Sequence, residues 1–417
     1  MSARATKDRM VEKAKARGDE AAIRFVLALA ESLHRYGTPA DRLEENLALC
    51  SARLGLSAQF FASPTSILAS FETRRGVVSR MLRVAESELN LEKLVRVDRV
   101  ISRLVRGEIG PDEARIGLEE VERAPDRFGP AMRVAGFAAA ATLVARLFGG
   151  GAAELLLTLL TASVIGVTVH LLAASDRMRP LAVAVAAGLA SASGFAFLGP
   201  VDEAAAYVVT VSSLILLMPG LKVTIAMREL AMQHLTSGTT RMMAALRTLL
   251  GMAFGVIGGR QAAAALPSPP DFLPGFELPE ATLWAAVALF PIALVVDFRA
   301  RWRDLPVIAA GCFSAYFAAS WGRSVFGPEM GAFVGSLAVG VAGNLFARVF
   351  DRPASVLQIP GVTLLVPGSV GFRSVFQLLD HDAASGVDAA FRMVLVGTAL
   401  GSGLIVANVL VPPRRAL

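Results

Sequence analysis

The fold of this chain is decided by two stretches of sequence, LILLMPGLKVTIAMRELAMQHLTSG (Leu214–Gly238) and VTLLVPGSVGFRSVFQLLDHDAASG (Val362–Gly386). Laid over each other without a gap, they pair Pro219-Gly220 with Pro367-Gly368 at an offset of 148 residues (367 − 219). The Ser-Gly pairs near their ends match at the same offset. So many matches in one register indicate an internal duplication.

Ten apolar segments accompany the duplication, and most approach the roughly 17 to 25 residues that a helix needs to cross the hydrocarbon layer. Five fall in each half, and an odd number of spans forces the second copy to enter the membrane upside down. We therefore predict an α-helical polytopic membrane protein with about ten transmembrane helices as a 5+5 inverted repeat. The Pro-Gly pairs interrupt the fourth and ninth segments. The segments lie near residues 131–148, 152–173, 181–199, 204–220, 242–259, 281–296, 305–320, 330–347, 354–370 and 390–411.

The composition indicates two environments, water and lipid. Hydrophobic residues make up 54% of the chain and charged residues 18%, with a mean hydropathy of +0.56, so much of the surface must face lipid. Residues 1–130 hold 22 Lys/Arg and 20 Asp/Glu by count, which leaves 19 (41 − 22) and 15 (35 − 20) for the longer remainder. The net charge of +6 comes without a basic stripe interleaved with aromatic residues, which argues against nucleic-acid binding.

The charged N-terminal part has the pattern of a small α+β domain. Apolar residues at helical spacing predict helices over 21–33 and 41–54, with Thr38 or Asp41 as the cap of the second helix. Short β-prone runs near 59–62, 66–71 and 77–84 predict a small sheet, and helices follow over 91–106 and 111–124. The predicted parts are a disordered tail (1–20), a cytoplasmic α+β domain (21–127), a first five-helix repeat (128–262), a Pro-rich linker (263–280) and a second five-helix repeat (281–417).

Positive charge sets the predicted orientation. If the N-terminal domain is cytoplasmic, the loops on its side collect twelve Lys/Arg and the loops on the opposite side collect five, as the positive-inside rule requires. Residues 1–24 lack the apolar core of a cleavable signal peptide. We therefore expect a multi-pass protein of the bacterial inner membrane with both termini in the cytoplasm.

The Pro-Gly pairs are the first candidates for a substrate site. Proline removes an amide donor and glycine tolerates unwound backbone, so broken helices expose carbonyls and half-helix termini that bind ions or zwitterions. The alternative is that both prolines only kink or end helices. Polar side chains within the spans are the second group, although Ser and Thr often bond within their own helix. The substrate-binding set is Pro219, Gly220, Pro367, Gly368, Ser191, Ser193, Ser212, Ser213, Asn344 and Thr363.

Few ionisable groups lie in or beside the apolar segments. We predict proton-coupling roles for His170, Glu229 and Asp202, and Asp297 after the sixth segment is a further candidate. The alternative for His170 is an interfacial or core histidine. The alternative for Glu229 is an exposed ion pair with Arg228.

The N-terminal part lacks the motifs of an enzyme. It holds one histidine, His34, and no HExxH, GxSxG, phosphate-binding glycine loop or Cys/His metal cluster. The chain has two cysteines, Cys50 in the charged region and Cys312 in an apolar segment, so we expect no disulfide framework. We interpret Cys50 as a buried helix residue. We predict no enzymatic activity, no cofactor and no metal.

Four segments resemble the threonine/serine exporter family: YGTPADRLEENLALCSARLGL (Tyr36–Leu56), PTSILASF (Pro64–Phe71), MPGLKVTIAMRELAMQHLTSGTTR (Met218–Arg241) and IPGVTLLVPG (Ile359–Gly368). The order of parts, a soluble domain followed by two sets of five spans with Pro-Gly breaks, is also similar over residues 21–411. The resemblance implies efflux of threonine and serine across the inner membrane, driven by the proton-motive force. It implies no particular binding residues.

The prediction is thus a secondary transporter that exports small hydroxy amino acids by proton antiport. Its expected partners are threonine or serine, protons, membrane lipid and, if it oligomerises, further copies of itself. Two alternatives stay open. One is an exporter of C4-dicarboxylates such as succinate, which the resemblance also implies, and the other is a non-transporting membrane sensor whose cytoplasmic domain binds the ligand.

Overall fold

The chain consists of an α+β domain packed against one end of a helical membrane part. A computed structural model describes residues 3–73, 76–84, 88–199, 202–266, 278–365, 368–379 and 383–413. The domain contains α1 (Ala3–Arg35), α2 (Ala40–Arg53), β1 (Ser57–Ala62), β2 (Ser66–Thr73), β3 (Gly76–Arg83), α3 (Leu91–Val105) and α4 (Pro111–Arg123).

The sheet of the domain is an antiparallel meander with β2 in the middle. Ile67, Ala69 and Phe71 alternate along β2 and are all buried, as period-two alternation of a one-sided sheet requires. They belong to one apolar cluster with Phe25 of α1 and Leu43 of α2. The predicted small α+β domain is confirmed, and its helices cover one face of the sheet.

The start of the domain differs from the sequence-based expectation. Helix α1 begins at Ala3, within the segment predicted as a disordered tail, and this segment is rich in the helix formers Ala, Lys, Arg and Glu. The predicted caps of α2 are wrong, because the N-cap position is Pro39, which has no side-chain acceptor. The amide of Ala40 instead donates to a carboxylate oxygen of Glu229, from the membrane part, at 3.1 Å.

The membrane part contains twelve α-helices among the described residues. They are α5 (Pro130–Leu147), α6 (Ala152–Ala173), α7 (Ala182–Phe197), α8 (Glu203–Leu214), α9 (Gly220–Ala231), α10 (Leu235–Ala264), α11 (Ala281–Asp297), α12 (Leu305–Phe326), α13 (Pro328–Phe350), α14 (Ser355–Leu365), α15 (Gly368–Leu379) and α16 (Ala383–Leu410).

Eight helical stretches of the described chain are long and apolar enough to cross a membrane. One of them, Ser355–Ser374, runs through α14 into α15, whereas α8 and α11 are shorter apolar helices. The most apolar stretch, α6, has a mean hydropathy of 2.2 and exposes Leu156, Leu160 and Val164. Because such a surface is stable only against lipid, the chain is a polytopic membrane protein.

Glycines let helices α7 and α10 approach closely. A methyl group on Gly259 of α10 would lie 2.2 Å from the carbonyl oxygen of Gly188 on α7, and one on Gly255 would lie 2.1 Å from that of Ala184. Both distances are shorter than any tolerated contact, so the α7–α10 contact depends on these two glycines. By contrast, Gly251 of the same helix has open space around it.

Contacts at the helix ends define two sides of the membrane part. On the domain side, Arg299 after α11 pairs with Glu88 at 2.9 Å and Asp126 at 3.1 Å. On the opposite side, Arg146 near the end of α5 donates to Thr282 near the start of α11, at 2.7 Å. Helices α5 and α11 therefore run in opposite directions.

Candidate functional site

The chain unwinds between α8 and α9, where the first Pro-Gly pair lies. The amides of Leu217 and Met218 both donate to the carbonyl of Leu214, at 2.9 and 3.1 Å, which closes a tight turn after α8. Pro219 then occupies the N-cap position, and the buried Gly220 begins α9. The predicted break is thus present, and it leaves a half-helix N-terminus inside the membrane part.

The second Pro-Gly position lies against the first break. Helix α14 is described as far as Leu365 and α15 from Gly368, and the predicted break at Pro367 lies outside the described residues. A methyl group on Gly368 would lie 3.0 Å from Cβ of Met218 and 3.5 Å from the amide nitrogen of Gly220. Gly368 therefore lies against the start of α9, and a larger side chain at this position would require Met218 to shift.

A cavity of about 190 Å³, the elbow cavity, lies beside this contact. Met218 and Leu221 line it from the first break, and Gly368 and Ser369 line it from the second. Its walls are otherwise mainly apolar, with Phe148 and Phe290 among them. Among its lining residues the charged side chain is that of Asp297.

A larger cavity of about 400 Å³, the charged cavity, connects this region with the domain side. It shares Leu216 and Asp297 with the elbow cavity, so the two adjoin. Groups of both signs line it, which suits a zwitterion better than an ion of one sign. These groups are Glu88, Asp126, Arg133, His170, Asp297 and Arg299.

Asp297 lies where the two cavities meet. It is the last residue of α11, and Arg133 and Arg299 are near enough to attract its carboxylate. Within the described part of the chain its carboxylate has neither a hydrogen bond nor a close ion pair, whereas Arg299 is already paired with Glu88 and Asp126. A half-buried carboxylate without a close partner, facing two cavities, is available to a ligand or a proton.

Two family models match the chain. One is described as "Putative threonine/serine exporter" and matches residues 24–262, and the other is described as "Threonine/Serine exporter, ThrE" and matches residues 281–410. The chain belongs to the threonine/serine exporter family. Both family descriptions name an exporter of threonine and serine.

Curated relatives of this exporter-family chain carry the name "Pheromone-regulated membrane protein 10". The one from Candida glabrata is 24% identical over 420 residues, which cover 94% of this chain and 53% of the relative. The one from Saccharomyces cerevisiae is 25% identical over 422 residues, with 94% and 54% covered. The chain thus spans about half the length of these relatives. No solved structure matches it.

Glu229 joins the N-terminal domain to the membrane part. It is fully buried, and Arg241 donates to it twice, from Nε at 3.0 Å and from Nη2 at 2.9 Å. The amide of Ala40 at the start of α2 donates to the same carboxylate, so the α2 dipole also stabilises its charge. The alternative of an exposed pair with Arg228 is wrong, because Arg228 pairs instead with Asp41.

His170 and Asp202 lie on opposite sides of the membrane part. His170 is exposed near the end of α6 and lines the charged cavity with Asp297. Asp202 caps α8 by accepting a hydrogen bond from the amide of Ala204 at 2.8 Å. The structure brings only the first of the two to a cavity that contains the candidate carboxylate, and the coupling role of either stays a prediction.

The predicted serines line neither the elbow cavity nor the charged cavity. Ser191 donates to the carbonyl of Val256 at 3.0 Å and so links α7 to α10, and Ser193 is partly exposed on the same helix. Ser212 and Ser213 are fully buried on α8, and their hydroxyls have no partner within the described structure. Their part in binding stays a prediction.

Thr363 and Asn344 do line cavities, but different ones. Thr363 lines the elbow cavity, and its hydroxyl donates to the carbonyl of Ile359 at 2.8 Å. Asn344 donates to Asn408 at 2.9 Å and accepts from Gln358 at 3.1 Å, beside a third cavity under the domain. Asn344 is therefore held in place by neighbouring side chains.

Sequence reasoning missed Arg133. It is a partly buried residue of α5 and lines the charged cavity opposite Asp297. A basic residue in the first turn of an apolar segment was the available signal, but such residues usually mark the membrane interface. Only the packing of α5 against α11 shows that the two charges share a cavity.

Proposed function

We propose that this protein exports small hydroxy amino acids, threonine and serine, across the bacterial inner membrane in exchange for protons, with its domain in the cytoplasm. One observation carries the proposal: Gly368 lies against Met218 and Gly220 of the first break, beside a mostly apolar cavity whose charged lining side chain is the carboxylate of Asp297. An isolated carboxylate in such a place binds an ammonium group or a proton strongly. Membership of the threonine/serine exporter family supports the substrate class.

The inverted repeat is part of this proposal. If α8 with α9, and α14 with α15, each count as one crossing, the described helices make ten crossings, five on each side of the linker. Helix α5, the first of its half, and α11, the first of the other, run in opposite directions. Such a pairing of opposed halves around broken helices is the arrangement of alternating-access carriers.

Each end of the substrate has a matching group in the elbow cavity. The ammonium pairs with the Asp297 carboxylate. The N-terminus of α9, at Gly220, presents a positive dipole end to the substrate carboxylate. The hydroxyls of Thr363 and Ser369 lie on the same wall and can bond to the substrate hydroxyl.

Proton exchange follows from the single carboxylate. Asp297 can hold an ammonium group or a proton, but not both, so release of one requires arrival of the other. His170, on the wall of the charged cavity, provides a relay between Asp297 and water on the domain side. Glu229 is already occupied by Arg241 and Ala40, and we assign it to holding the domain.

The dicarboxylate alternative meets a repulsive site. The charged lining side chain of the elbow cavity is itself negative, and two like charges about 4 Å apart cost about 4 kcal/mol at an effective dielectric of 20. A zwitterion gains an attraction at the same point. Succinate is therefore the less favoured substrate, although Arg133 and Arg299 line the outer cavity.

Proteoliposomes test the proposal. We expect labelled threonine to exchange faster than labelled succinate and to respond to a pH gradient. Asp297→Asn should abolish threonine efflux, while Asp297→Glu should retain part of it. The matched control is Asp351→Asn, since Asp351 lies at the end of α13 in a left-handed conformation that Asn also adopts readily. Unchanged threonine efflux in Asp297→Asn, or faster efflux of succinate, would refute the proposed site.

Labelling of single cysteines tests the orientation. Asp176 lies between α6 and α7, and Arg323 lies near the end of α12. In cells carrying Asp176→Cys or Arg323→Cys, without the native cysteines, we expect an impermeant reagent outside the cell to reach only the second. Labelling of both variants from outside would contradict the proposed topology.

A further inference from the structure

A third cavity, the interdomain cavity, lies between the N-terminal domain and the membrane part. It measures about 100 Å³. On the domain side it is lined by Thr38, between α1 and α2, and by Arg42 of α2. On the membrane side it is lined by Arg228 of α9 and Ser355 of α14. The elbow cavity lies next to it, since Leu221 lines both.

Three residues that line this cavity carry a buried hydrogen-bonding group without a partner in the described structure. The hydroxyl of Thr38, a residue only 8% exposed, is buried without a hydrogen bond in the described structure. The same holds for the Ser355 hydroxyl and for Nε of Arg228. Each unsatisfied buried donor costs about 1–3 kcal/mol, a cost that an acceptor in the cavity would remove.

The cavity also concentrates positive charge. The side chains of Arg42 and Arg228 are 15% and 13% exposed. Burial lowers the pKa of Arg42, and the positive charge of Arg228 lowers this pKa further, so the two guanidinium groups are near each other. Asp41 neutralises Arg228, but Glu45, the partner of Arg42, is 60% exposed and therefore screened by water.

The rest of the lining is apolar. Leu94 of α3, Ile359 of α14 and Leu404 of α16 face the cavity. An inorganic anion would leave these side chains without contact, whereas a short carbon chain would pack against them. The lining therefore favours a ligand that has an anionic group attached to a short apolar chain.

We infer that the interdomain cavity binds a small organic acid through its carboxylate, with Thr38, Ser355 and Arg228 as hydrogen-bond donors and Arg42 as a second positive charge. The site is separate from Asp297 and does not depend on the proposed transport route. Because the domain lines one side of the cavity and α9 and α14 line the other, the ligand joins the domain to both halves of the membrane part. Occupancy of the site therefore sets how firmly the domain is held on the transporter.

Equilibrium binding to the purified full chain tests the inference. The probes are labelled L-threonine, butyrate and succinate, each measured on Asp297→Asn protein so that the elbow cavity does not contribute. We expect saturable binding of at least one probe. The probe with the highest affinity shows which chemical group is attached to the carboxylate of the ligand. Absence of saturable binding by all three would overturn the inference.

Thr38→Val is the decisive variant because valine keeps the shape and removes the donor. The matched control is Thr158→Val, at a fully buried threonine of α6 whose hydroxyl is also unpartnered but lies away from this cavity. We expect Thr38→Val to weaken binding at least about tenfold, as loss of a hydrogen bond to a charged group does, and the control to leave it unchanged. Ser355→Ala should act in the same direction, against Ser51→Ala as its control. Equal affinities in Thr38→Val and Thr158→Val would refute the site.

Discussion

Glu229 provides the sharpest test of how the domain is held on the membrane part. In Glu229→Gln the amide oxygen can still accept from the amide of Ala40, but the negative charge is lost. Arg241, whose side chain is only 16% exposed, then remains buried without a counter-charge. Removing one partner of a buried ion pair costs about 3–5 kcal/mol. Because Arg241 is partly exposed, we expect a cost at the lower end of this range, about 3 kcal/mol.

This energy corresponds to an increase of about a hundredfold in local opening of the start of α2. Hydrogen exchange of the peptide that contains Ala40, followed by mass spectrometry on the full chain, measures the opening directly. Glu229→Ala should add about 1 kcal/mol, because the acceptor for Ala40 is lost as well.

The double variant Glu229→Leu with Arg241→Met separates the cost of burying an unpaired Arg241 from the net stabilisation by the ion pair. It removes both charges together, so we expect most of the protection from exchange to return, except for the part that depends on the hydrogen bond from the Ala40 amide. Glu203→Gln is the control, because Glu203 pairs with Arg260 at the surface, at 3.4 Å, where such pairs contribute below about 1 kcal/mol. Exchange in the double variant as fast as in Glu229→Gln, or no change in Glu229→Gln, would refute the reasoning.

Three further predictions concern stability and reactivity. Burial lowers the pKa of His34 below its ordinary 6.5, so the neutral form is favoured in the folded state and stability should fall as pH drops below about 6.5, by at most about 1.4 kcal/mol per pH unit. Urea unfolding at several pH values checks this, and a His34→Gln variant with the same slope would contradict it. Gly259→Ala should disrupt the α7–α10 contact by several kcal/mol in thermal unfolding, because its methyl group would meet a carbonyl oxygen at 2.2 Å, whereas Gly251→Ala should stabilise slightly. Burial raises the pKa of Cys50 to about 12, so a maleimide at pH 7 should modify it only after unfolding, and rapid labelling of the folded protein would count against its burial.

Elements of the N-terminal domain were predictable because their signals are local. Strand β2 was expected over 66–71 and runs over Ser66–Thr73, and α3 was expected over 91–106 and runs over Leu91–Val105. The α2 cap was mispredicted because its acceptor, Glu229, lies 189 residues away. No local pattern points to a partner at that distance.

The candidate site was predictable only in part. The break at Pro219-Gly220 follows from the chemistry of those two residues wherever they lie in an apolar segment. The role of Asp297 depends on its neighbours: Arg133 comes from another helix, and two separate cavities meet at its carboxylate. The interdomain cavity likewise depends on two distant parts of the chain, because Thr38 lines it from the domain and Ser355 lines it from α14.

Residue order alone was sufficient for the membrane class, the N-terminal α+β domain and the position of the first break, because hydropathy, periodicity and backbone restriction act over a few neighbouring residues. Packing decided which charges share a cavity, which glycines touch and which carboxylate joins the domain to the helices. These outcomes depend on distances between segments that are far apart in the sequence, and such distances exist only once the helices have assembled.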